Sequence, residues 1–177
     1  MEDRARRLAR PSGASPRAAA VLDVVTFALA GERYAIETRH VREIIRAGEV
    51  TPIPGTPEFL LGVINLRGEL LTVFDLRRLL GLAASEATVH ARIVVLGVER
   101  PEVGALVDAV YEVTAVGSEE VRDSPVSLGG VAAECLRGVT NDALVVLDGG
   151  RLLASRELFV GQREEPANGH GGRGELT

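Results

Sequence analysis

The chain has 177 residues and a formal net charge of −5, and 46% of its residues are hydrophobic, enough to fill one substantial domain or two small ones. All 20 basic residues are arginine, and this argues against P-loop phosphate binding, Schiff-base chemistry and phospho-aspartate receiver switches, which use a lysine. The single cysteine, Cys135, cannot form an internal disulfide, so we predict a reducing, cytoplasmic location.

The two ends of the chain differ in composition from its middle. Residues 1–20 hold five arginines against two acidic residues, a balance of +3, and are rich in Ala, Ser and Pro. Residues 161–177 are Gly-rich and polar, so both ends are predicted to be disordered tails around a folded part at 21–160. No apolar run approaches the roughly 18 residues of a membrane span, and residues 1–20 lack the apolar segment of a signal peptide.

The folded part begins with period-two patterns. "VVTFALA" places Val25, Phe27 and Leu29 on one face, and residues 30–32 then form a predicted hairpin turn into a strand at "RYAIET". "TRHVREII" has apolar residues at helical spacing, so we predict a short helix on which His40 is a solvated residue.

The middle of the chain contains a predicted hairpin, "GVINLRGELLTVFDL", which follows the proline-rich loop "TPIPGTPEF". "LRRLLG" after it is predicted to be a short helix that Asp75 caps and Gly81 ends. From residue 91, "ARIVVLGV", "VGALVDAVYEVTAV", "VSLGGVAAECLRGVT" and "NDALVVLD" are predicted strands, and "GRLLASRELF" is a helix or a strand. Eight to ten short strands indicate barrels or a sandwich, with halves at about 21–85 and 90–160.

No group of reactive side chains is visible. His40, His90 and His170 lack nearby carboxylates or cysteines at ligand spacing, so no metal site is expected, and Cys135 has apolar neighbours typical of a core residue. There is no Gly-x-Ser-x-Gly nucleophile motif. We therefore predict a binding or scaffolding module, not an enzyme, without a cofactor. A small-molecule or nucleic-acid binding barrel is the alternative of another class, although residues 21–160 carry −7 and only 3% of the chain is aromatic.

Several motifs resemble the CheW family of chemotaxis coupling proteins. They are "VREI" at 41–44, "PIPGTPEF" at 52–59, "GVINLRG" at 62–68 followed by "DLR", "VGALVDAVYEV" at 103–113 and "LRGV" at 136–139. The resemblance covers about residues 22–160. It implies a mainly β fold of two five-stranded SH3-like barrels around a shared hydrophobic core, with short helices.

The resemblance also implies a non-catalytic adaptor with two partners. These are the cytoplasmic hairpin tip of a methyl-accepting chemoreceptor and the regulatory domain of a CheA-type histidine kinase, so the protein is expected in the cytoplasm, recruited to membrane-associated receptor arrays. A CheW-like adaptor of a system controlling pilus motility or development is the alternative. By matching position, the residues predicted to bind receptor or kinase are Val41, Glu43, Ile44, Gly62, Arg67, Val107 and Asp108.

The hairpin suggests a specific ion pair for Arg67, which lies at its turn. Arginine's planar donor fork suits a carboxylate, and we name Glu43 as the partner of Arg67 within the fold. Asn65 and Gly68 are predicted to be structural turn residues, because a short amide can bond the backbone and glycine permits a left-handed conformation.

Overall fold

The computed structural model describes residues 20–83, 86, 88–124, 129–155 and 158. The predicted tails at 1–20 and 161–177 therefore lie outside the described residues, apart from Ala20. The described residues form ten strands, three short α-helices and 3-10 turns at Thr38–His40 and Ser118–Glu120. In chain order the strands and helices are β1 (Val21–Leu29), β2 (Glu32–Glu37), β3 (Val41–Arg46), β4 (Leu60–Leu66), β5 (Glu69–Asp75), α1 (Leu76–Leu79), β6 (Arg92–Leu96), β7 (Val103–Val107), β8 (Ala109–Gly117), α2 (Gly130–Cys135), β9 (Leu136–Val139), β10 (Val145–Leu147) and α3 (Gly149–Ala154).

The strands form two five-stranded sheets. The first has the order β8-β1-β2-β10-β9 and the second the order β3-β6-β7-β5-β4. The mainly β prediction with two five-stranded units is confirmed, but the division at the linker between residues 85 and 90 is wrong. Each sheet combines strands from both sides of that linker, because the chain crosses between sheets at Thr38–His40 and again at Asp108.

Three apolar clusters correspond to this arrangement. The largest lies between the sheets and contains Phe27 and Ile36 of the first sheet and Phe74 and Leu96 of the second, all at most 1% exposed. A second cluster, around Ile93, belongs to the second sheet alone, and a third, around Val146, belongs to the first. A shared core with one smaller core per sheet confirms the predicted packing, and strand β1 is buried on both faces as a result.

Two segments differ from their predicted secondary structure. "TRHVREII" is not a helix: after the 3-10 turn it forms β3, which pairs antiparallel with β6 from Val41↔Leu96 to Arg46↔Arg92. Its β-branched residues suit a strand, and tertiary pairing outweighs the helical spacing. Conversely, the middle of "VSLGGVAAECLRGVT" forms α2, whose buried residues Val131 and Cys135 are four positions apart on one helical face.

The two sheets repeat one another in sequence and in topology. Hairpin β1–β2 corresponds to β6–β7, and strands β3, β4 and β5 correspond to β8, β9 and β10 in the two sheet orders. Each hairpin is in the sheet formed by the three later strands of the other repeat. The shared patterns are Val-x-Glu at 41–43 and 110–112, Leu-x-Gly-Val at 60–63 and 136–139, and Asp-x-x-Arg-Leu-Leu at 75–80 and 148–153.

Candidate functional site

The β4–β5 hairpin ends in a two-residue turn formed by Arg67 and Gly68. Their φ angles are 51° and 86°, and Leu66 pairs with Glu69, so both central residues are left-handed as in a type I′ turn. The Asn65 side-chain oxygen accepts a hydrogen bond from the Gly68 backbone N–H at 2.8 Å. This bond spans the turn that carries Arg67 and is the kind of side-chain to backbone contact expected of a structural Asn65.

Arg67 forms the predicted ion pair with Glu43. Its two terminal nitrogens donate to the two carboxylate oxygens, Nη1 to Oε1 at 3.1 Å and Nη2 to Oε2 at 2.9 Å. The Arg67 side chain is 77% exposed, whereas that of Glu43 is 21% exposed. The pair therefore orients a solvent-facing guanidinium and leaves three of its five N–H donors available.

The ion pair joins the two edges of the second sheet, since β3 and β4 are its outermost strands. A further link follows from Thr51, which exchanges both backbone hydrogen bonds with Val63 of β4 at 2.9 Å. Gly62 permits this approach: its φ is +143°, and a Cβ there would lie 2.0 Å from the Thr51 carbonyl oxygen. Gly62 is buried and acts through the backbone, by holding the curled sheet that positions Arg67.

Apolar side chains lie exposed on the strands that carry the pair. Ile44 on β3 is 39% exposed and Leu70 on β5 is 75% exposed. Leu70 pairs with Asn65 and therefore lies beside the turn. Leu70 was not predicted, although two adjacent leucines in a strand require that one of them face outward, and Leu71 is the buried one. We call Glu43, Ile44, Arg67 and Leu70 the hairpin surface.

Val107 and Asp108 lie elsewhere. Val107 is 1% exposed within the shared core, so the prediction that its side chain binds a partner is wrong. Asp108 lies at the second crossover, where Oδ1 is 2.9 Å from Arg77 Nη1 and Oδ2 accepts the Ala30 backbone N–H at 2.8 Å. Asp108 thus anchors the β1–β2 turn to α1. Val41 is half-buried against the shared core.

Arg77 is the centre of a buried ion cluster. Its side chain is 4% exposed and donates to both carboxylate oxygens of Asp75, and the Asp75 carboxylate also accepts the Arg77 backbone N–H at 3.0 Å. These hydrogen bonds to Asp75, with the charge of Asp108, raise the pKa of Arg77. The predicted cap at Asp75 is confirmed, and the cluster ties the helix to the second crossover.

His40 is buried at the first crossover, which corrects the prediction of a solvated residue. It is 8% exposed and packs against Gly149, where a Cβ would lie 2.6 Å from His40 Nδ1. Nδ1 is buried without a hydrogen-bond partner among the described atoms. Burial and the neighbouring Arg39 lower the pKa of His40, so the imidazole is neutral near pH 7. Sequence could not show this, because the packing glycine is 109 positions away.

A cleft of about 640 Å³ opens between the first sheet, α2 and the residues after α1. Its walls are mainly apolar and include Leu80, Leu136 and Tyr34, and burial together with Glu32 raises the pKa of Tyr34. The described part of the chain holds no cluster of three potential metal ligands. No described helix has the length and apolar character to cross a membrane.

The sheets and the hairpin surface define a class of protein: a rigid β module that presents an oriented guanidinium beside an exposed leucine, a combination suited to binding another protein. The family model of the CheW-like domain matches residues 23–157. The chain therefore belongs to the CheW-like family.

Individual relatives agree with this assignment. The chemotaxis protein CheW of Treponema pallidum is 35% identical over 144 residues, covering 76% of this chain and 84% of that protein. Protein FrzA of Myxococcus xanthus is 34% identical over 107 residues, covering 60% of this chain and 66% of FrzA. The crystal structure of the scaffolding protein TtCheW from Thermoanaerobacter tengcongensis matches with a TM-score of 0.64 at 28% identity, covering 72% of this chain and 89% of that one.

Proposed function

We propose that this protein is a non-catalytic adaptor that couples the cytoplasmic tips of chemoreceptors to a CheA-type histidine kinase. Membership of the CheW-like family supports the class of function. The observation that carries the proposal is the Glu43–Arg67 pair, which holds an exposed guanidinium in a fixed position on a two-residue turn. The protein would act in the cytoplasm, recruited to receptor arrays.

The hairpin surface offers two kinds of contact to such partners. The three available N–H donors of Arg67 suit a carboxylate or backbone carbonyls, whereas Ile44 and Leu70 suit the apolar stripe of an amphipathic helix. Because the turn is fixed by the Asn65 bond and by Glu43, little side-chain entropy is lost on binding. In this proposal Val41 and Asp108 have indirect roles. Val41 packs against the shared core, and Asp108 holds the second crossover through Arg77 and the Ala30 backbone N–H.

An adaptor needs only to hold its partners in a fixed geometry, so that a conformational change in the receptor alters the activity of the kinase. Each interface can be modest when many copies act together, because linkage raises the effective concentration. A system controlling pilus motility or development would use the same chemistry. The relatives include both proteins named for chemotaxis and protein FrzA. The receptor and the kinase that bind this chain would therefore distinguish the two pathways.

The test is kinase activation in receptor arrays reconstituted from purified receptor, kinase and adaptor. We expect Arg67→Glu to abolish most activation and most co-sedimentation with receptor and kinase while leaving the circular dichroism spectrum and the unfolding midpoint close to wild type. Arg46→Glu is the matched control: it makes the same charge change at an exposed residue of β3 that has no ion pair among the described residues. Normal activation by a folded Arg67→Glu protein would contradict the proposal.

A further inference from the structure

The second crossover is held by a cation between two acids. The buried guanidinium of Arg77 donates hydrogen bonds to Asp75 on one side and lies 2.9 Å from Asp108 Oδ1 on the other. Arginine stays protonated throughout the physiological pH range, so the cation at this crossover is present whatever the pH. The first crossover, at Thr38–His40, is built differently.

The internal repeat identifies the residues that correspond at the two crossovers. When the repeated motifs are aligned, Gly150 takes the place of Arg77, and Arg39 takes the place of Asp108. The imidazole of His40 lies against this glycine, where a Cβ on Gly150 would be 3.5 Å from Nε2. The first crossover therefore has a histidine ring beside the position of the arginine, and an arginine at the position of one of the two acids.

The acids at the first crossover are already paired with arginines. Glu37 forms ion pairs with Arg39 and Arg137, and Asp148 accepts the Arg151 backbone N–H at 3.0 Å and lies 3.6 Å from its Nε. Four positive and two negative side chains lie at or next to this crossover: Arg39 in the turn, Arg42 of β3, Arg137 of β9, Arg151 of α3, Glu37 of β2 and Asp148 before α3. A proton on His40 would add to this positive excess.

The packing of the His40 ring also disfavours its protonated form. The residue is 8% exposed, its Nδ1 has no hydrogen-bond partner among the described atoms, and a Cβ on Gly149 would lie 2.6 Å from that nitrogen. A neutral imidazole carries one N–H, whereas an imidazolium must donate from both nitrogens. A buried donor without an acceptor is destabilising, so the closed crossover favours the neutral ring, in agreement with the lowered pKa of His40.

We propose that the first crossover is a proton-sensitive hinge, which opens locally when His40 is protonated while the second crossover stays closed. Opening lets water accept the hydrogen bonds of both ring nitrogens. It breaks the hydrogen bond from the Gly97 backbone N–H to the His40 carbonyl, which is 3.0 Å long in the closed form. Because β3 begins at Val41, opening also releases the start of the strand that carries Glu43. The proposal is independent of the adaptor function, since opening is a property of this fold alone.

Amide hydrogen exchange in the full-length protein, followed by NMR and corrected for the intrinsic rate at each pH, measures opening at each crossover. The Gly97 N–H reports on the first, the Asp108 N–H, which donates to the Ala28 carbonyl at 3.0 Å, on the second, and the slowest core amides on global unfolding. Gly97 should exchange faster than the core. Its protection should fall by about three- to tenfold from pH 7.5 to 5.5, because the open form of His40 titrates near the ordinary pKa of about 6.5. Asp108 should exchange with the core amides at every pH.

Two variants assign the effect to His40 and to its missing acid. His40→Gln removes the titrating group, so the fall in Gly97 protection should disappear. Arg39→Asp keeps the imidazole but places an acid where the second crossover has Asp108, so the fall should be much smaller, and Glu37 keeps its ion pair with Arg137. The proposal is overturned if Gly97 exchanges only with the core, if its protection does not change with pH, or if the fall is as large in either variant as in wild type.

Discussion

The Glu43–Arg67 pair should matter far more for coupling than for stability. With Arg67 77% exposed, its attraction to Glu43 is screened by water, so we expect a coupling free energy of about 0.2–1 kcal/mol in a double-mutant cycle. The bidentate geometry and the 21% exposure of Glu43 place it towards the upper end. Urea unfolding of wild type, Glu43→Gln, Arg67→Gln and the double variant measures it. A coupling above about 2 kcal/mol would contradict this reasoning.

Under the proposed function, binding should respond differently, because the three N–H donors of Arg67 that Glu43 leaves available would contact the partner directly. Loss of one hydrogen bond involving a charged group costs about 1.5–3 kcal/mol, equivalent to about 10- to 150-fold weaker binding for Arg67→Gln. Glu43→Gln should weaken binding less, since it removes only the orientation. The charge swap Glu43→Arg with Arg67→Glu restores the ion pair but not the donors. If that swap restores kinase activation fully, the inference of a direct Arg67 contact is wrong.

Three further predictions concern the supports of the site. Gly62→Ala should lower the unfolding free energy by at least about 3 kcal/mol, because a Cβ meets a carbonyl oxygen at 2.0 Å at φ +143°, whereas Gly48→Ala, with open space, should change it by less than about 0.5 kcal/mol in urea unfolding. Arg77→Leu should cost about 3 kcal/mol by the same measurement, because it leaves the buried Asp75 carboxylate with only the 3.7 Å ion pair to Arg78, whose side chain is 45% exposed, and a loss under about 1 kcal/mol would refute the buried-cluster argument. His40 has a lowered folded-state pKa, so the unfolded chain binds more protons as pH falls below about 6.5, and stability should decline until pH passes the folded-state pKa. His40→Gln should flatten that decline in unfolding midpoints from pH 8 to 5, and equal slopes in wild type and His40→Gln would count against the assignment.

Local patterns determined much of the hairpin and its neighbours. The period-two pattern, the Arg-Gly turn, the Asn65 bond, the cap at Asp75 and the pairing of Arg67 with Glu43 were all predicted from sequence. The first four depend on residues at most a few positions apart, where turn and cap chemistry is local. The Glu43 pairing was predicted from the chemistry of the guanidinium together with the family resemblance.

Tertiary structure alone decided which strands share a sheet. Sequence placed the halves on either side of a linker, but each hairpin pairs with strands of the other repeat, and no local pattern encodes which of two similar edges a hairpin will join. The same applies to β3, where pairing with β6 outweighed helical spacing. Val107, the last residue of β7 in the second sheet, lies in the shared core instead of on the predicted surface, because the first sheet packs against that side of β7.

The sequence by itself determined that this is an acidic, mainly β binding module of the CheW-like family, since composition, period and motif are properties of the chain. Only the folded structure decided that Arg67 joins two sheet edges and that His40 packs against a glycine 109 positions later. These facts depend on contacts between distant segments, whose geometry follows from the closing and packing of the sheets.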